Sequence, residues 1–142
     1  AVSLQYPMPS SPVHALAIPE FTTTACTGDK PAILFNKNPI TKETVMDYST
    51  VFKPNVRIYY IILMPKKVHS RFIYIQIIKK DNSQERLGYK LYWANTVRLK
   101  DEQVFYYDDY IVISQPGAYI MKVYSKDNPT VPLTMAQFFV RQ

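Results

Sequence analysis

The segment from Val104 to Tyr124, VFYYDDYIVISQPGAYIMKVY, constrains the fold more than any other part of the chain. Tyr110-Ile111-Val112-Ile113 is aromatic and β-branched, a set of side chains that packs well on a pleated surface and loses rotamer freedom in a helix. Beyond Pro116-Gly117, Tyr119, Met121 and Val123 alternate with Ile120, Lys122 and Tyr124, the two-residue period of a strand with distinct faces. Pro116-Gly117 reads as the turn of a hairpin-like unit, because proline fixes one backbone angle and glycine frees another. Such a unit places the chain among all-β domains.

The remaining segments repeat the pattern. Pro31 to Asn36 reads as a short strand, followed by a polar stretch in which Thr41-x-x-Thr44 starts at most one helical turn. In Val56 to Met64 both faces are mostly apolar, Val56, Ile58, Tyr60, Ile62 and Met64 on one and Arg57, Tyr59, Ile61 and Leu63 on the other, so this strand should be central or covered twice. Arg71 to Lys80 puts Ile73, Ile75 and Ile77 on a core face, with Phe72, Tyr74, Gln76 and Ile78 opposite. Leu87 to Ala94 places Tyr89, Leu91 and Trp93 on one side, and Pro132 to Val140 closes the domain. No long segment has a helix period.

Within the opening segment, the order Gly117-x-Tyr119-x-Met121 resembles the late strand of immunoglobulin-like sandwiches, in which a tyrosine near the strand start bonds back to the corner backbone. Met121 stands where antibody domains place cysteine. The resemblance implies an antiparallel two-sheet sandwich of about seven strands, with Gly117 and Tyr119 as its corner. It implies a fold and no particular activity.

Residues 1–30 differ from the rest. Pro7, Pro9, Pro12 and Pro19 enforce extended conformation and Thr22-Thr23-Thr24 continues it, so this is an extended N-terminal arm beside one β-sandwich domain at 31–142. Ala15-Leu16-Ala17 is not read as a signal-peptide site, since no continuous apolar run precedes it. Cys26 is the only cysteine, which excludes an intrachain disulfide, and its surroundings lack a lipobox. The run Ile58 to Met64 is too short to span a membrane. The net charge of +6 is spread in short groups, of which Lys66-Lys67-x-His69-x-Arg71 is the densest and reads as a solvated turn.

Catalytic constellations are not visible. His14 and His69 are the only histidines and neither has a second ligand or nucleophile at motif spacing; the three glycines, Gly28, Gly88 and Gly117, form no phosphate loop. Asp108-Asp109, with Asp101-Glu102, could offer oxygen to calcium, but acidic pairs in such positions are usually solvated. No cofactor, no metal and no enzymatic activity are expected. Nucleic acid is not expected as a partner either, since the aromatic and basic signature of an RNA-binding sheet is missing.

Aromatic supply is the positive signal. Twelve tyrosines exceed what strict alternation buries, and tyrosine and tryptophan suit protein interfaces. The expectation is a noncatalytic structural or protein-interaction subunit of a larger assembly, in a bacterial cell envelope, periplasm or secretion apparatus, or secreted. The arm of residues 1–30 would pack along other protein subunits, with Tyr6, Phe21 and the exposed members of Tyr59, Tyr92, Trp93 and Tyr106 as anchors. The alternatives are a carbohydrate-binding module with Tyr89, Tyr92 and Trp93 as a platform, and a viral or phage structural protein.

Overall fold

Both faces of the segment around Tyr60 are apolar, and the fold covers both. The computed structural model describes residues 30–64, 71–81, 88–100 and 105–142. Among these are eight strands and no helix: β1 (Ala32–Asn36), β2 (Val51–Phe52), β3 (Arg57–Leu63), β4 (Phe72–Asp81), β5 (Gly88–Arg98), β6 (Tyr106–Val112), β7 (Gly117–Ser125) and β8 (Thr134–Val140). One sheet has the order β1-β3-β6 and the other β2-β8-β7-β4-β5.

β3 is the centre of the smaller sheet. Its Ile58, Tyr60 and Ile62 enter the core between the sheets, where they meet Ile73, Ile75 and Ile77 of β4 and Tyr119, Met121 and Val123 of β7. Its Ile61 and Leu63 point the other way and are buried by Ile40, Val45 and Tyr106. Ile40 and Val45 are brought there by one helical turn, in which the Val45 N–H donates to the Thr41 carbonyl at 2.9 Å. This small second core covers the second face of β3 at Ile61 and Leu63, while Arg57 at the strand's start is exposed.

The sequence expectation of a fully antiparallel sandwich needs correction. β2 runs parallel to β8, with Val51 opposite Phe139 and Phe52 opposite Val140, so the five-stranded sheet is mixed. Val51-Phe52 is too short to show a period, and its pairing is fixed from outside by bonds from the Phe139 and Arg141 N–H groups to the Thr50 and Phe52 carbonyls. It is the strand that raises the number to eight.

The unit around Pro116 is not a hairpin. β6 pairs with β3, whereas β7 pairs with β4 and β8, so the chain crosses from one sheet to the other between Val112 and Gly117. A tight hairpin would need positive backbone angles that proline cannot adopt, and it would leave one set of apolar side chains without a partner sheet. Crossing lets Ile111 and Ile113 face Tyr119 and Met121 within one core. The corner is closed by the Tyr119 hydroxyl, which donates to the Gln115 carbonyl at 2.5 Å. A Cβ on Gly117 would come within 2.8 Å of Lys79 Cε, whose ammonium lies 5.9 Å from the Tyr119 ring centroid and bonds the Gln115 side chain at 2.9 Å. Tyr119→Phe keeps the ring and loses one hydrogen bond, so it is expected to cost about 1 kcal/mol in urea unfolding. No loss would mean that the corner bond is absent in solution.

Candidate functional site

Among the described residues, those expected to anchor an interface do not form one surface. Tyr6 and Phe21 lie outside the described residues, as do His14, Cys26, His69 and most of the arm. Tyr106 cannot serve as an anchor in this fold: it is buried, closing the small core beside Leu63. Tyr59 is half-buried on the outside of the smaller sheet, 5.7 Å from Tyr110. Tyr92 and Trp93 are half-buried against the main core, Tyr92 edge-on to Tyr119 at 5.2 Å.

A β-bulge accounts for the last pair. Ile77 faces Trp93 and Ile78 faces Leu91, so Tyr92 is an extra residue without an opposite number. The shift sends both Tyr92 and Trp93 to the core side and leaves Tyr89 and Leu91 outside. Strict alternation would have kept Tyr89, Leu91 and Trp93 together. The same bulge separates Tyr89 from Tyr92 and Trp93, so the proposed sugar platform of these three rings is not assembled.

What the fold does assemble is the outer face of the five-stranded sheet. One row across it carries Ile120, Ile78 and Leu91 on three adjacent strands. Another pairs Tyr124 with Tyr74, ring centroids 6.1 Å apart. The row between them holds Lys122 and Gln76, with Met135 and Ala94 at its ends. Leu91 is 58% exposed, Met135 53%, Tyr89 42% and Phe72 40%. These side chains interrupt the polar covering of the sheet. The alternation of Phe72, Tyr74, Gln76 and Ile78 carried this signal in the sequence; the contributions of Leu91 and Met135 did not stand out, because each is a single apolar residue among polar neighbours.

Titratable groups gather on the opposite sheet without converging. Asp108 lies opposite Ile61 and Asp109 opposite Tyr60, so these consecutive carboxylates face opposite sides of β6. Burial, followed by the charge of Asp109, pushes the Asp108 carboxyl up to about 7. Asp109 accepts from the Tyr107 hydroxyl at 3.1 Å and the Tyr110 N–H at 2.8 Å. Burial, then Asp109, drives the Tyr107 phenol up, and burial does the same for Tyr60. Two carboxylates on opposite faces of a strand do not make an acid–base pair for one substrate. Among the described residues no cluster of three or more His, Cys, Asp or Glu comes together to hold a metal. No helix among them is long and apolar enough to cross a membrane.

No family model matches the chain. No curated protein matches it either. Among solved structures it is similar to the PmoD soluble domain from a Methylocystis species, at 10% identity over 78% of this chain and 90% of that one, with a TM-score of 0.46. A candidate lipoprotein from Bacillus anthracis is similar at 10% identity over 80% of this chain and 73% of that one, TM-score 0.44. A β-glucosidase from Listeria innocua is similar at 8% identity over 79% of this chain and 16% of that one, TM-score 0.41. No residue role is carried over from these likenesses.

Proposed function

We propose that this chain is a noncatalytic immunoglobulin-like sandwich acting as a structural or protein-interaction subunit, and that the outer face of its five-stranded sheet docks another protein. The exposure of Leu91, Met135, Tyr89 and Phe72 around the half-buried Ile78, Ile120, Tyr74 and Tyr124 carries this reading. A sheet face of apolar and aromatic side chains, broken by Lys122 and Gln76, offers contact area with polar groups to fix register. The immunoglobulin-like part is supported by strand order: β1-β3-β6 follows the sequence A-B-E of such sandwiches, β5-β4-β7-β8 follows C′-C-F-G, and Tyr119 stands at the corner between E and F. In this reading the Pro/Thr-rich segment 1–30 supplies a second contact along a neighbouring subunit.

The test is the double variant Leu91→Glu, Met135→Glu. Both side chains are more than half exposed, so unfolding free energy is expected to stay within roughly 0.5 kcal/mol per site. Tagged wild-type protein is expected to elute from size-exclusion chromatography with cell-envelope or secretion-apparatus subunits, identified by mass spectrometry, and the variant to elute without them. Retention of the same companions by the variant would remove the sheet face as the docking surface. A wild-type monomer without companions would remove the assembly reading itself.

A further inference from the structure

A cleft of about 800 Å³ opens at one end of the sandwich, where β1 ends, β3 begins and β8 runs out. Its apolar lining comes from Pro39, Val51, Phe52, Val56 and Tyr59, and its charge from Lys37, Lys53, Arg57 and Arg141. Among the described residues no Asp or Glu lines it, and none of these four cations has an ion-pair partner there. Val51 and Val56 are 41% and 43% exposed, so the apolar wall is open to solvent.

The cations are held from four separate places. Buried Asn36 donates to the Thr44 carbonyl at 2.6 Å and accepts the Asn38 N–H at 3.0 Å, which pins the backbone on both sides of Lys37. Asn55 adopts a positive φ of 64° after Pro54 and donates its N–H to the Ile113 carbonyl at 2.9 Å, so the turn carrying Lys53 and Val56 is fixed. The Arg57 guanidinium lies 4.5 Å from the Tyr110 ring centroid and within 3.5 Å of the Tyr59 hydroxyl. The Arg141 guanidinium lies 4.8 Å from the Phe139 centroid, and its backbone N–H is bound by the Phe52 carbonyl at 2.8 Å. A guanidinium resting on a ring keeps its outward N–H groups for a planar anion.

Four like charges around one apolar cleft repel one another, and an anionic occupant relieves that repulsion. We infer that the cleft binds an amphiphilic organic anion, an apolar or aromatic body seated on Val51, Val56 and Tyr59 with a carboxylate or phosphoryl group among Lys53, Arg57 and Arg141. The volume lies within the usual range for sites that enclose a small molecule.

The probe is 8-anilinonaphthalene-1-sulfonate, compared with N-phenyl-1-naphthylamine, which has the same rings and no charge. Fluorescence titration at low salt is expected to give binding of the anion about tenfold tighter than of the neutral compound. Amide shifts on the anion's addition are expected at Val51, Lys53, Val56, Arg57 and Arg141. Lys53→Gln with Arg57→Gln is expected to weaken the anion about tenfold and leave the neutral compound unchanged. Should Arg57→Gln perturb folding, Lys53→Gln with Arg141→Gln asks the same question from the other wall. Competition by 1-naphthoate and 1-naphthyl phosphate then separates a carboxylate from a phosphoryl head group. No binding of the anion, equal binding of the two probes, shifts confined to the Leu91 and Met135 face, or undiminished binding by a folded double variant would each overturn the inference.

Discussion

Phe138→Ala is expected to lower the unfolding free energy by about 3–5 kcal/mol, the range for truncating a fully buried aromatic ring. Phe138 has no exposed surface and joins three structural parts. Its ring stacks on Tyr119 at 5.4 Å with 14° between planes, lies 4.7 Å from Phe35 of the opposite sheet, and meets Phe52 of β2 edge-on at 6.5 Å. Removing it opens a cavity that the neighbours cannot fill, since Tyr119 is tethered to Gln115 and Phe35 sits in a strand paired along its length with β3. For a domain with a total stability of about 5–15 kcal/mol this is a large share. The adjacent Phe139 makes the control. It is half-buried on the outer face under Arg141, so Phe139→Ala is expected to cost no more than about 1.5 kcal/mol. Urea unfolding of both variants checks the pair, and equal losses would mean that the inward and outward faces of β8 are misassigned.

That contrast also separates what was legible in the sequence from what was not. Faces of long, regular strands could be read: Ile73, Ile75 and Ile77 are buried as their alternation requires, and β3 is covered on both sides because both sides are apolar. Period two depends only on local backbone geometry, so a single sequence carries it. Sheet membership is a different quantity. The segment around Pro116 has the local chemistry of a turn, but whether the flanking strands bond to each other or to others depends on which pairing buries Ile111 and Tyr119 together. Local signals failed for the same reason at the bulge: one extra residue at Tyr92 reverses every face assignment on one side of it, and nothing in Leu91-Tyr92-Trp93 marks the insertion. The burial of Tyr106 is not legible locally, because it depends on Ile40 and Val45, about sixty residues away along the chain. The basic cleft was invisible because its four cations come from separated positions and meet only at the end of the sandwich.

Asp108→Asn is expected to stabilise the protein above neutral pH and to flatten its stability profile between about pH 4 and 8. Asp108 is half-buried on the outer side of β6, opposite the fully buried Ile61, with Tyr106 and Tyr110 two residues to either side along the same face. Burial disfavours the carboxylate there and the charge of Asp109 adds to it, moving the carboxyl from 3.8 to about 7. The folded state therefore holds this proton more tightly than the unfolded chain does. Its contribution to stability is whole below about pH 4, falls as the unfolded chain ionises, and is lost once pH passes the folded value near 7. At about 1.4 kcal/mol per unit the shift corresponds to at most about 4 kcal/mol, and partial contact with water brings the expected gain for asparagine at pH 8 to about 1–3 kcal/mol. At pH 4 the protonated acid and the amide have nearly the same shape and charge, so the two proteins should unfold together. The difference between variant and wild type isolates Asp108 from every other titrating group. Urea unfolding at pH 4, 5.5, 7 and 8 measures it; parallel profiles, or an asparagine variant less stable at pH 8, would show that Asp108 is solvated and ionises in the folded protein as it does in the unfolded chain.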